Sequence, residues 1–211
     1  MKVALFDYGV GNLHSLGKAL ERGGAEVLVT GDWGEALSAD ALVLPGVGAF
    51  SAAVEALPDD PTQLRARLES GLPCLGICLG MQLLFERSEE GEGRGIGIVP
   101  GQVVRLETPT VPQMGWNDVE LGDDPLFEGV AVPTFAAYYA NSFVCVPDDA
   151  ADSIAWSTHQ GTRFTAAVRR YNTWGVQFHP EKSSDAGRRL IDNFLEAVRR
   201  TASNPSFGTR T

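Results

Sequence analysis

Leu72-Pro73-Cys74-Leu75-Gly76-Ile77-Cys78-Leu79-Gly80-Met81-Gln82-Leu83-Leu84-Phe85-Glu86 passes from a short apolar run into a helix-forming one, with a glycine-bracketed cysteine at the junction. A strand that breaks into a helix at one nucleophilic residue, with glycine two positions to either side, has the pattern of a nucleophile elbow. In that device a strained turn holds the nucleophile out above a sheet. Glycine at both flanks removes the Cβ atoms that would collide with the turn and with a bound substrate. The same residues also describe a buried core thiol with incidental glycines, because free cysteine is among the most buried residue types. A base elsewhere in the chain decides between the two.

Upstream of this stretch, strand and helix patterns alternate. Apolar runs at 3–8, 26–30 and 41–44 read as strands. Asn12 is placed to cap a helix running to about residue 22, with Gly23-Gly24 as its stop. Pro45-Gly46-Val47-Gly48 closes the third strand, and helical patterns follow at about 49–57 and 63–70. Such alternation predicts a parallel sheet with helices on both faces and ligands at the carboxyl ends of the strands. Both the 45–48 loop and Cys78 stand at such ends.

Beyond about residue 95 the pattern changes to short strands at 102–106, 116–121, 134–139, 143–146 and 154–157. The runs at 164–170 and 174–178, joined near Tyr171-Asn172-Thr173, read as an antiparallel hairpin. A last amphipathic helix spans about 184–201, and residues 202–211 read as a flexible polar tail. The expectation is one α/β domain over 1–201, with a central mostly parallel mixed sheet flanked by helices and a smaller antiparallel sheet.

Bulk properties narrow the function classes. A length of 211 residues is ample for one core and short for two. A net charge of −10 argues against a nucleic-acid partner, which demands clustered Lys and Arg. No window approaches the roughly 18 consecutive apolar residues of a membrane span, and the first residues read as a core strand rather than a signal peptide, so a cytoplasmic protein is expected. The three cysteines, Cys74, Cys78 and Cys145, lack zinc-ligand spacing and read as free thiols. No metal and no cofactor is implied. Gly9-Val10-Gly11 is rejected as a dinucleotide loop because His14 takes the third glycine position. The glycine-rich 91–97 segment, with Glu89 and Glu90 beside it, reads as a mobile loop rather than a phosphate cradle.

The base candidate is His179, at the end of Trp174-Gly175-Val176-Gln177-Phe178 and ahead of Pro180-Glu181. In an extended segment residues i and i+2 face the same way, so Glu181 can hold one imidazole nitrogen while the other takes a proton from Cys78. A free thiol is mostly protonated at neutral pH, and a helix N-terminus and an imidazolium both favour its anion. Attack on a carbonyl then creates an oxyanion that needs preorganised donors. The backbone N–H of Leu79 is one candidate, and Val47 or Gly48 supplies a second.

These residues resemble a known family. Gly-Ile-Cys-Leu-Gly-Met-Gln at 76–82, followed about a hundred residues later by His-Pro-Glu, is similar to the class I (triad) glutamine amidotransferases, whose fold is flavodoxin-like. Asp7-Tyr8-Gly9-Val10-Gly11-Asn12-Leu13, Pro45-Gly46-Val47-Gly48-Ala49-Phe50, Met114-Gly115-Trp116-Asn117 and His179-Pro180-Glu181-Lys182-Ser183 resemble, within that family, the glutaminase subunits of imidazole glycerol phosphate synthases. The resemblance implies hydrolysis of L-glutamine through a thioester on Cys78. It also implies passage of the ammonia to a (β/α)8-barrel cyclase subunit in a heterodimer, yielding imidazole glycerol phosphate and an aminoimidazole carboxamide ribotide for histidine synthesis. It assigns Gly48, Gln82, Ser142 and Phe143 to glutamine binding, and Asn12, Trp116 and Lys182 to the mouth facing the cyclase.

Two positions depart from the family pattern. Asn141 and Gln113 stand where histidine is common, ahead of Ser142-Phe143 and of Met114-Gly115-Trp116-Asn117. Three other readings stay open at this level: a glutaminase serving another synthase, such as one for pyridoxal phosphate or anthranilate; a cysteine hydrolase or peptidase on a similar fold; and a non-catalytic binding module.

Overall fold

The computed structural model describes residues 1–9, 13–46, 48–130 and 133–203. Five parallel strands form its centre: β1 (Lys2–Phe6), β2 (Glu26–Thr30), β3 (Ala41–Leu44), β4 (Cys74–Ile77) and β12 (Thr173–Val176), in the order β2-β1-β3-β4-β12. Every residue of β3, β4 and β12 is buried, as expected of strands covered on both faces. Alternation in β1 divides the core. Val3 and Leu5 pack with Leu16 and Leu20 of α1 (Leu13–Arg22) and with Leu190 and Phe194 of α6 (Ser184–Ser203). Ala4 and Phe6 face the opposite side, with Ala36 of α2 (Trp33–Leu37) and Leu64 and Leu68 of α4 (Thr62–Glu69). The remaining helices, α3 (Phe50–Glu55) and α5 (Leu79–Leu83), pack on each other through Phe50, Ala53, Leu79 and Leu83.

The smaller antiparallel sheet expected from the sequence is continuous with the central one. β12 pairs antiparallel with β11 (Thr162–Arg170), and the sheet continues through β10 (Ser153–His159) and β7 (Gln113–Leu121) to β8 (Thr134–Asn141). A branch runs from β11 to β9 (Phe143–Pro147), then β6 (Gly101–Arg105) and β5 (Arg87–Ser88). Twelve strands among the described residues thus share one mixed sheet, hinged at β12.

Other expectations shift in detail. Helix α2 has only five residues and is fixed by Asp32, whose side chain accepts from the Glu35 N–H at 2.8 Å; so short a helix leaves no period to read. Helix α5 starts at Leu79, two residues before the expected start, because the turn at Cys78 enters it directly. The last helix runs through Ser203, so 202 and 203 belong to it rather than to a tail; 204–211 lie outside the described residues. The glycine-rich segment expected to be mobile is pinned at its end, where the Gly95 and Ile96 N–H groups donate to Glu86 O at 3.0 Å and Leu83 O at 2.8 Å.

What matters most for the site is register. In the parallel pair β4–β12, Ile77 lies opposite Val176, so the chain leaves both strands at the same edge of the sheet. Helix α5 then folds back close to the strands. A Cβ on Gly80 would run into the Leu44 carbonyl group, and one on Gly76 would meet the Gly80 carbonyl oxygen at 2.6 Å. Both obstacles are backbone and cannot swing aside. Gly80→Ala is therefore expected to cost about 3 kcal/mol, read as a fall in the denaturation midpoint at unchanged m-value; a loss under 0.5 kcal/mol would contradict this packing.

Candidate active site

Cys78 sits at the N-cap of α5 with φ 49° and ψ −103°, a conformation that non-glycine residues rarely take. Hydrogen bonds on both sides hold it there. Its N–H donates to Val176 O at 2.7 Å, and its carbonyl accepts from the Gln82 N–H at 3.1 Å. The elbow expected from the glycine bracket is present, and it is anchored to β12, the strand that leads to the histidine.

His179 is 2 % exposed and held by its own backbone. Its N–H donates to Tyr138 O at 2.8 Å, bridging the chain to β8. The Ser183 hydroxyl donates to the His179 carbonyl at 2.6 Å and accepts from the Tyr138 N–H at 3.0 Å, locking the two segments together. The imidazole Nδ1 lies 2.9 Å from Glu181 Oε1. The extended i, i+2 geometry expected for this contact is not what makes it. His179 is extended, but residues Pro180–Lys182 form a 3-10 turn, and the turn brings the carboxylate back to the ring.

Burial disfavours the His179 imidazolium, but hydrogen bonds and charges from Cys78 and Glu181 outweigh it and push its pKa up to about 9. Cys78 and His179 line the same cleft, and the imidazole nitrogen left free by Glu181 is Nε2. The other two thiols differ. Burial raises the pKa of both Cys74 and Cys145, which lie in apolar surroundings.

Cys78 and His179 open onto a cleft of about 280 Å³. Gly48, Leu79, Gln82, Ser142, Phe143 and Lys182, all singled out in the sequence, line it as well. Gly48 has a φ of +126°, which few other residues adopt. Asn12 and Val47 lie outside the described residues. Trp116 is away from the cleft lining and 55 % exposed, with its ring edge-on to Tyr138 at 6.3 Å; Lys182 Nζ lies 5.3 Å from the Tyr138 ring centroid. Met114, also on β7, is 68 % exposed. Trp116, Tyr138 and Lys182 therefore make an outer rim beside the histidine.

Sequence reasoning missed several residues here. Glu90 lines the cleft, and its carboxylate accepts from the Phe50 N–H at 3.2 Å, supplying the N-terminus of α3 with the cap that Ala49 cannot. Nothing local marks that role; it depends on a contact across 40 residues. Gln177 is fully buried, with its amide Nε2 3.6 Å from the Cys78 sulfur. Its position two residues before His179 was the available signal. The two departures from the family pattern prove to be neighbours: Gln113 and Asn141 are paired across β7 and β8, and both are buried. Asn141 lines the cleft and donates to Phe143 O at 3.0 Å, which fixes the turn carrying Ser142 and Phe143.

Residues 4–198 match the family glutamine amidotransferase class-I. The chain belongs to that family. Among curated relatives, the imidazole glycerol phosphate synthase subunit HisH of Synechococcus elongatus is 44 % identical over 205 residues, covering 93 % of this chain and 94 % of the relative. The subunit of the same name from Streptomyces avermitilis is 45 % identical over 206 residues, covering 92 % and 95 %. A crystal structure described as a glutamine amidotransferase superposes with a TM-score of 0.72 at 22 % identity, covering 93 % of this chain and 98 % of that one, and so shares the fold. In this amidotransferase, then, the cleft and the elbow lie within the matched region.

The His179 pKa implies a definite pH dependence of stability. A histidine raised from 6.5 to about 9 by folding stabilises the folded protein fully below pH 6.5 and loses that contribution as pH rises through 9. The melting temperature of the wild type should fall across that interval more than that of His179→Gln. Parallel curves for the two proteins would contradict the coupling.

Proposed function

We propose that this chain hydrolyses L-glutamine to glutamate and ammonia, and supplies the ammonia to a cyclase subunit that makes imidazole glycerol phosphate and an aminoimidazole carboxamide ribotide in histidine biosynthesis. The observation that carries the reading is the meeting of Cys78, His179 and Glu181 at a small cleft whose lining includes one carboxylate, Glu90, and one ammonium, Lys182. A free amino acid carries both charges, and such a lining complements it. The similarity to imidazole glycerol phosphate synthase subunits along nearly the whole chain supports the choice of acceptor.

The chemistry follows from the geometry. Cys78 gives its proton to His179, and the resulting thiolate attacks the γ-carbonyl carbon of glutamine. The C–S bond forms as the carbonyl oxygen takes up negative charge. The N–H of Leu79 is free to meet that charge, since the first residue of a helix has no intrahelical acceptor, and the 45–48 loop is the source of the second donor. As the tetrahedral species collapses, the C–N bond breaks and His179 passes its proton to the departing nitrogen, which leaves as ammonia. A water deprotonated by His179 then attacks the thioester, releasing glutamate and restoring the thiol. Glu181 keeps the imidazole oriented and stabilises its cationic form in both half-reactions.

The partner is assigned to the rim. Trp116 and Met114 expose large apolar side chains next to Tyr138 and Lys182, at the edge of the cleft where ammonia is released. A (β/α)8-barrel cyclase docked there in a heterodimer receives ammonia without its passing through bulk water.

Cys78→Ala is expected to lower glutamine-dependent synthesis by the assembled complex by about 10³-fold or more. Synthesis from added ammonium salt should persist at the wild-type rate, measured by formation of the ribotide. Loss of both activities would refute transfer of ammonia between subunits, and retention of both would remove Cys78 from the reaction.

A further inference from the structure

Past β12 the chain bends at Gln177 and Phe178 before bridging to Tyr138 at His179, and the contacts of these residues sort them into two sets. Val176 and Phe178 enter the apolar core beside α1 and α6. Gly175, Gln177 and His179 face the other way: a Cβ on Gly175 would meet the Met81 side chain of α5, and the Gln177 amide reaches the Cys78 sulfur. Gln177 has no solvent exposure, and its Oε1 is buried without a hydrogen-bond partner among the described residues. Burying a primary amide this way costs free energy that an apolar side chain of the same size would avoid. Among the described residues its side-chain hydrogen bond is Nε2–H to sulfur, at 3.6 Å.

We propose that Gln177 is a positioning residue for the nucleophile: its amide N–H donates to the Cys78 sulfur and holds it, as the anion, facing His179 and the cleft. The proposal rests on the assignment of Cys78 as the nucleophile. A neutral thiol is a weak acceptor and a thiolate a strong one, so this bond favours the ionised form. It also restrains the sulfur on the side away from the substrate. Two opposing consequences follow. Each tenfold gain in the thiolate–thiol ratio is accompanied by a loss of intrinsic nucleophilicity of about threefold, for a Brønsted coefficient near 0.4–0.5. On the rising part of the pH profile the gain wins, by about threefold; at high pH, where all of the sulfur is ionised, only the loss remains.

That crossover is the signature to measure. Gln177→Met keeps the volume and removes the donor, and Gln177→Glu keeps the shape and replaces the donor with an acceptor. Alkylation of Cys78 by iodoacetamide is followed across pH in the full-length chain by peptide mass spectrometry, with Cys78→Ala as the blank. Both variants should shift the midpoint upward. Gln177→Met should react about threefold more slowly than wild type on the rising limb and about threefold faster at the plateau. Midpoint and plateau both unchanged in a folded variant would overturn the proposal and leave Gln177 a space-filling residue. Should Gln177→Met fail to fold, the same criterion applies to Gln177→Glu. The assay needs neither glutamine nor cyclase. If the wild-type complex did not turn over glutamine, the proposed function would fail while this readout remained decisive for Gln177.

Discussion

Cys78 is held in a backbone conformation that costs on the order of 1–3 kcal/mol for a residue with a side chain, and much of the surrounding structure is arranged to keep it there. Its N–H is taken by Val176 across the β4–β12 pair, and its carbonyl begins α5. The glycines at 76 and 80 let that helix lie against the backbone of β3 and β4. Relaxing the turn would give up these contacts together, so the strain persists. Its result is a thiol on the cleft side of the sheet edge, unlike Cys74 and Cys145, which are enclosed by apolar side chains.

The base is held by a different means. No strand carries His179; a bridge to Tyr138 and the Ser183 hydroxyl fix it instead, with that hydroxyl serving two backbone groups at once. The ring is oriented by Glu181 from within a 3-10 turn. Cys78 and His179 therefore rest on separate supports that meet at β12. The rim residues Tyr138 and Lys182 belong to the support of the base: Tyr138 gives its carbonyl to His179, and Lys182 lies over the Tyr138 ring.

The parts legible in the sequence were those with a local signature. The glycine bracket around Cys78 marked the strained turn, and His179-Pro180-Glu181 marked the contact between imidazole and carboxylate even though the turn type was misjudged. Buried parallel strands showed as apolar runs, and 41–44 and 26–30 were placed to the residue. What stayed hidden was set by distant pairing. Glu90 reaches the cleft only because α3 lacks a cap of its own, and Gln113 meets Asn141 only through the register of β7 and β8. The continuity of the sheet through β12 was hidden for the same reason, since a hairpin pattern does not reveal which third strand lies beside it. Gln177 stayed hidden because its contact with the sulfur spans 99 residues.

The hinge role of β12 bears on how the protein comes into being. Cys78 and the amide and imidazole that serve it are separated by 99 residues or more, and they meet only when β12 slides in beside β4. Pairing across so long a span comes late in folding. During synthesis, while the chain has emerged only as far as β11, Cys78 has neither its base nor the carbonyl that fixes its turn. The cleft that Cys78 and His179 share therefore forms in one step with closure of the sheet. A chain that stalls or is cut short before its last strand carries the thiol without the amide and the imidazole.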